Sequence, residues 1–351
     1  MIYLVILVVF VFFALLEQVR GTGTFIPILK YASLIFLVIF IGFRYRTGPD
    51  YESYELIYQD KSSPVLEYLF QLLISIAKSI KLNYNYFLLL IAALSLSIKW
   101  ISLNKYSPYF FFSIVIAFQS YILADMGQIR FSLAIAVSWL SLHFCLERKL
   151  IPFLLIVFIA SLFHRSAVIL LPLYWFGYFN INFWIMLGSW GACYILSFAL
   201  ANLGFFEELS EFFVSETMAD KIDLYADNEE FGTRYDISLW GILSKVIVLG
   251  LIFYSSIPDD KMKRIFTNIY FVGGCAFFLF SFNEIFGSRI SLYFFSFEPI
   301  MVPIAIYFIK DIKLHYMLLS FFILKSMYQL IVQVYMVYPD LYLPYKNFLF
   351  R

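Results

Sequence analysis

Between Arg44 and Tyr54 lie two arginines, one aspartate and three tyrosines, in a 351-residue chain of which only 14% is charged. Arg44 and Arg46 precede the turn pair Gly48-Pro49, and Asp50, Tyr51 and Tyr54 follow it. A membrane edge often carries a basic anchor. Cations and a carboxylate on either side of a turn suit another task, the capture of an anionic lipid headgroup. Guanidinium is planar, stays charged and grips phosphate through two parallel hydrogen bonds. Similar chemistry recurs at Gln128-Ile129-Arg130, at His164-Arg165-Ser166, at Arg234, and at Arg289 with Tyr293 four residues on. Histidine, with an intrinsic pKa of ~6.5, can take a proton from a sugar hydroxyl. His164 is the histidine beside a break between apolar runs; His143 and His315 sit near lysine-bearing turns.

The elements that must position these groups are apolar helices. The chain is 62% hydrophobic with a mean hydropathy of +0.84, more apolar surface than a soluble domain of this length can hide. Its apolar runs are continuous, which excludes the alternating segments of a membrane barrel. The expected fold class is therefore all-α, a polytopic integral membrane protein of about ten to twelve spans forming one domain over 1–351. Spans are expected near 2–18, 25–43, 84–103, 107–124, 128–146, 182–201, 237–256, 265–283, 290–309 and 314–337. Residues 150–178 read as two shorter helices meeting at His164-Arg165-Ser166, and 65–80 as an interfacial amphipathic helix. Met1–Leu16 lacks a basic leader and a small-residue cleavage site, so it reads as a retained span.

Short turns rich in Lys and Arg, such as 147–149, 259–264 and 310–313, read as cytoplasmic. The longer acidic segments 44–64 and 202–236 read as external. The second holds ten carboxylates and carries Phe205, Phe206, Leu209, Phe212 and Phe213 at helical spacing, an expected amphipathic surface helix. This topology creates an anomaly. Six of ten arginines, Arg44, Arg46, Arg130, Arg165, Arg234 and Arg289, fall at or near the external side, where cations should be depleted. Arg130 and Arg289 also stand at the start of apolar runs; a charge at a span centre costs ~2.5–3.5 kcal/mol on insertion scales, less near its end. Pairing with Asp125, Asp236 or Glu284 would offset the cost. So would a shared site for a lipid diphosphate. Lys99, Lys245, Lys325 and Glu298 lie within spans and call for snorkelling or buried pairs.

A net charge of +1 argues against nucleic acid as a partner. Cys145, Cys193 and Cys275 lie far apart in apolar runs without metal or disulfide spacing. There is no phosphate loop, nucleophile elbow, zinc-helix motif or dinucleotide fingerprint. No catalytic metal and no cofactor are expected. No internal repeat is evident, which weighs against an inverted-repeat transporter.

The segment Arg44–Tyr54, with Arg46, Asp50, Tyr51 and Tyr54 so spaced, resembles the first external element of the EpsG-like and Wzy-like polysaccharide polymerases. Gln128-Ile129-Arg130 with Ala134 resembles their second arginine element. His164-Arg165-Ser166-Ala167 with Leu171-Pro172 resembles the histidine element, and Arg289 with Tyr293, Phe294 and Pro299 the late arginine element. The order matches. Gly48-Pro49-Asp50 departs from the commoner Gly-Thr-Asp but keeps the aspartate.

The resemblance implies a fold similar to multi-span glycosyltransferases, in the bacterial plasma membrane, with the site facing the external side. It implies a metal-independent glycosyltransferase that polymerises oligosaccharide repeats carried on polyprenyl diphosphate. His164, Asp50 and Arg289 are then the catalytic candidates. Arg44, Arg46, Tyr51, Tyr54, Gln128, Arg130, Arg165, Arg234 and Tyr293 are the substrate-binding ones. Membrane lipid and the pathway's flippase and chain-length regulator are the implied partners. The alternatives are a glycan ligase or single-sugar transferase, and a lipid-linked oligosaccharide flippase.

Overall fold

The computed structural model describes residues 1–19, 25–60, 66–202 and 237–350. Arg234, Asp236 and the amphipathic stretch expected at 205–213 lie outside them. The described chain is all-α, and no strand occurs among the described residues. A helix stands at each expected apolar run. Among the described residues, four are long and apolar enough to cross a membrane: Tyr84–Tyr106, Ile129–Leu146, Phe183–Ala201 and Ile312–Val337. Gly287–Phe295 with Glu298–Tyr307 makes a fifth if that pair counts as one bent span. Seven further apolar helices, such as Ile2–Leu16 and Leu150–Ser161, are 10–17 residues long. The chain is a multi-pass membrane protein.

Polar residues of the connections become helix caps. Asn83 accepts from the Asn85 amide, Ser238 from Gly241, Asp259 from Lys261 and Met262, and Asp311 from Leu314. Each satisfies amide donors that a helix start leaves open. The 150–178 stretch does divide as expected, into Leu150–Ser161 and a 3-10 turn Arg165–Leu170 that follows His164. The run expected at 290–309 starts earlier and breaks: helices Glu284–Phe295 and Glu298–Tyr307 replace it. Pro299 cannot donate to the preceding turn, which ends the first helix there. Arg289 therefore lies in the second turn of its helix rather than at its start.

Packing divides the chain into two compact units. The first comprises Met1–Ser63, Tyr68–Leu140 and Glu298–Arg351; the second comprises Pro64–Glu67 and Ser141–Phe297. In the first, Ile26–Gly42 packs along Tyr84–Tyr106 and Ile2–Leu16 along Phe110–Ala117. Helix Tyr68–Ser79 buries one stripe, Phe70, Ile74 and Ala77, and exposes Gln71 and Ser75, the amphipathic pattern expected of it. In the second, Asp260–Leu279 is central, packed by Phe183–Asn202, Leu239–Tyr254 and Glu284–Phe295. Gly274 permits the closest of these approaches: a Cβ there would stand 2.0 Å from the Trp190 ring, whose Nε1 donates to the Phe271 carbonyl at 2.9 Å. Small residues let helices meet where lipid offers no hydrophobic drive for association.

The in-span charges resolve as buried pairs and a ring contact. Lys99 Nζ lies 2.8 Å from Asp125 Oδ2, and Lys325 Nζ 3.4 Å from Glu298 Oε2. Lys245 Nζ sits 4.0 Å from the Phe277 ring centroid.

Candidate functional site

In the first unit, helix Ile26–Gly42 ends and the chain turns through Arg44–Asp50 into the short helix Tyr51–Tyr58. Gly48 makes the turn possible. Its φ is +102°, and a Cβ would fall 2.0 Å from the Met126 carbonyl oxygen. Its amide donates to Leu341 O at 2.7 Å. Tyrosines clamp the short helix in place. Tyr51 Oη donates to Asn85 Oδ1 at 3.1 Å, Tyr84 Oη to Tyr51 O at 2.9 Å, and Tyr58 Oη to Leu82 O at 2.6 Å. Burial pushes the Tyr51 hydroxyl up to about 12, so it stays a neutral donor.

The clamped helix presents Tyr54 to Arg130. Arg130 Nε donates to Tyr54 Oη at 2.8 Å, and the guanidinium carbon lies 5.7 Å from that ring's centroid. Arg130 occupies the first turn of helix Ile129–Leu146, directly after Gln128, whose carbonyl accepts from Ser132 N. Arg46 is exposed, with a left-handed backbone (φ 46°), its guanidinium 5.7 Å from the Tyr45 ring centroid. Arg44 differs from both. It is 1% exposed, one amino group donates to Ile41 O at 2.9 Å, and its Nε is buried without a partner. Burial pushes its proton affinity down, with Asp125 in electrostatic range opposing. Asp50 stands half-buried at the head of the short helix, in electrostatic range of Tyr342.

In the second unit, His164 sits in extended backbone just ahead of the 3-10 turn. Its Nδ1 is 2.6 Å from Ser166 Oγ, which in turn donates to Tyr293 Oη at 3.2 Å; Tyr293 Oη is 3.5 Å from Nδ1. Each hydroxyl in this network can donate or accept, and Nδ1 is the ring nitrogen that faces it, so a proton taken from a substrate would go to Nε2. Tyr293 is fully buried. Arg289, one turn earlier on the same helix face, is in electrostatic range of the Tyr293 hydroxyl, as is Glu67. Arg165 is exposed and opens the 3-10 turn.

The sequence-derived candidates thus fall into two groups. Tyr54 and Arg130 meet in the first, with Arg46, Tyr51, Gln128 and Asp50 on the segments beside them. His164, Tyr293 and Arg289 gather in the second. Arg44 stands apart as a buried cation. Asp125, weighed as an arginine partner, has its ion pair with Lys99 instead.

Sequence reasoning missed three features. Ser166 was read within a polar break and the histidine element but not as the partner of His164, although its spacing is that of a local side-chain bond. Glu67 read as the polar face of an interfacial helix. Gln119 and Gln333, on the π-helical turns Phe118–Ile122 and Ile331–Val337, are joined amide to amide, Gln119 Nε2 donating. Nothing in a linear apolar pattern announces a π turn, which often marks functional segments.

Residues 27–347 match the model of the EpsG family. No curated protein and no solved structure matches the chain.

Proposed function

The chain belongs to the EpsG family, and from that premise we propose that it polymerises lipid-linked oligosaccharide repeats at the outer face of a bacterial plasma membrane. Family membership supports a polysaccharide-polymerase role in general; the reaction and its residues are inferred. The growing glycan on polyprenyl diphosphate is the donor, and a sugar hydroxyl of the next lipid-linked unit is the acceptor. The anomeric carbon–oxygen bond to the diphosphate breaks, a glycosidic bond to the acceptor oxygen forms, and the hydroxyl proton passes to His164 Nε2. Polyprenyl diphosphate leaves with its charge met by Arg289. Arg130, Arg46 and Tyr54, in the first unit, are groups of the kind that bind phosphates and sugars.

The observation that carries this reading is the His164–Ser166–Tyr293 chain with Arg289 one turn away. It supports a base role for the imidazole, held by its Nδ1 edge near a cation able to stabilise a leaving anion. Guanidinium in that place does what a metal ion does elsewhere, so chelator should leave the rate unchanged. The test is polymerisation by the purified protein in lipid, given synthetic polyprenyl-diphosphate-linked repeats. A ladder of repeat units is expected from the wild type and none from properly inserted Arg130→Ala or Arg289→Ala. Full-length product from either variant would refute the phosphate role, and one transferred unit would mean a ligase or single-sugar transferase.

A further inference from the structure

The final residues of the chain fold back on the Arg44–Asp50 segment of the first unit. Tyr45 N donates to Lys346 O at 2.9 Å, Phe348 N to Phe43 O at 2.7 Å, and Arg44 pairs with Asn347 as an isolated antiparallel bridge. Tyr345 stacks on Phe40, ring centroids 4.3 Å apart, and its hydroxyl donates to Phe40 O at 2.6 Å. Asn347 Nδ2 donates to that hydroxyl at 2.9 Å. Between this tail and helix Ile26–Gly42 lies a groove of about 610 Å³, within the range of small-molecule sites.

The groove floor and walls are apolar, with Phe36, Ile39 and Phe40 on one side and Tyr345 on the other. Phe36 and Ile39 are also exposed. Its rim is cationic. Lys346 lines it and is exposed. Tyr45 lines it too and carries the Arg46 guanidinium 5.7 Å from its ring centroid. Arg46 is tied to this rim through the backbone. Its neighbours Tyr45 and Thr47 both engage the Lys346 main chain, Thr47 Oγ1 accepting from Lys346 N at 3.5 Å. No carboxylate is among the described residues lining the groove.

We propose that this groove seats the phosphate-proximal isoprene units of a polyprenyl diphosphate, with the diphosphate between Lys346 and Arg46. An apolar groove at a lipid boundary gains little from the hydrophobic effect, because a lipid tail is as apolar outside as inside. Selection must come from shape and from the headgroup. A rigid aromatic wall favours a branched, methyl-studded chain over a flexible acyl chain, since ordering a flexible chain costs more conformational entropy. Two cations, with no carboxylate among the described residues lining the groove, favour a diphosphate over a single phosphodiester. The assignment deepens the polymerase reading and rests on it for the ligand, but it concerns binding and is testable without turnover.

The test is photolabelling of the full-length protein in nanodiscs with a polyprenyl diphosphate bearing a diazirine on its second isoprene unit. Label is expected on peptides containing Phe36–Phe40 or Tyr345–Phe350. Unlabelled polyprenyl diphosphate should compete it away, and a tenfold excess of phosphatidylglycerol should not. Ile39→Trp, which fills the groove, and Lys346→Glu, a surface change that leaves packing alone, should each lower labelling at least fivefold. Label landing elsewhere, labelling unaffected by Lys346→Glu, or equal competition by phosphatidylglycerol would overturn the assignment, the last by making the groove an ordinary bilayer-lipid site. Groove labelling by a protein that makes no polymer would leave the groove standing and sink the polymerase reading; polymer without groove labelling would do the reverse.

Discussion

Arg130 Nε donates to Tyr54 Oη at 2.8 Å across 76 residues of chain. The bond fixes one edge of the guanidinium and orients its plane. A bond to a charged group contributes about 1.5–3 kcal/mol, so Tyr54→Phe should lower kcat/KM roughly tenfold to a hundredfold. Arg130→Lys keeps the charge but loses the planar fork, and it should resemble Arg130→Ala more than wild type. Steady-state polymerisation rates with each variant check this. A lysine variant at wild-type rate would mean that charge alone suffices.

His164 acts in the proposed mechanism through Nε2, because Nδ1 is committed to Ser166 at 2.6 Å. Removing a general base costs roughly 10²–10⁴ in rate. His164→Ala should lose kcat on that scale with little change in KM, and added imidazole should restore part of it. Ser166→Ala frees the ring and should lower kcat about tenfold, again at constant KM. Imidazole without effect, or a loss confined to KM, would make His164 a binding or structural residue.

How far the sequence reaches depends on the kind of signal. Long apolar runs bounded by Asn83, Asp259 or Asp311 declare both a helix and its start. The break at His164 was legible because polar residues interrupt an apolar run, and Arg130 because a cation there needs a partner. The partners themselves were not legible. Lys99 and Asp125 are separated by 26 residues, and only three-dimensional packing selects that acid over others. The burial of Arg44 was equally hidden: it stands two residues from exposed Arg46 with Tyr45 between them, and its backbone pairs with Asn347 far along the chain.

Glu17 closes a helix start. Its carboxylate oxygens accept from Phe110 N at 2.9 Å and Phe111 N at 3.0 Å at the head of helix Phe110–Ala117. Glu17→Ala leaves both amides without that acceptor and should lower the melting temperature in detergent by an amount corresponding to about 1–3 kcal/mol. Glu17→Gln keeps an acceptor oxygen and should recover part of the loss. A melting temperature unchanged in Glu17→Ala would show that the two amides find another partner.

Lys99 holds the turn that leads to Arg130. Its ammonium donates to Asp125 Oδ2 at 2.8 Å, Ser132 Oγ at 2.7 Å and Tyr121 O at 2.6 Å, so all three protons are used. Tyr121 and Asp125 belong to the π and 3-10 turns, and Ser132 lies on the helix that carries Arg130. Lys99→Ala strands a buried carboxylate, and breaking such a pair typically costs about 3–5 kcal/mol. Lys99→Met with Asp125→Leu removes both charges and should recover most of that loss, because an apolar pair of similar volume often replaces a buried ion pair without penalty. Stability and activity should then part. The double variant no longer ties the turn ending at Met126, whose carbonyl lies against Gly48, to the helix that carries Arg130, so kcat/KM should stay depressed even where thermal stability returns. A double variant with both restored would show that the network stabilises the fold without positioning Arg130.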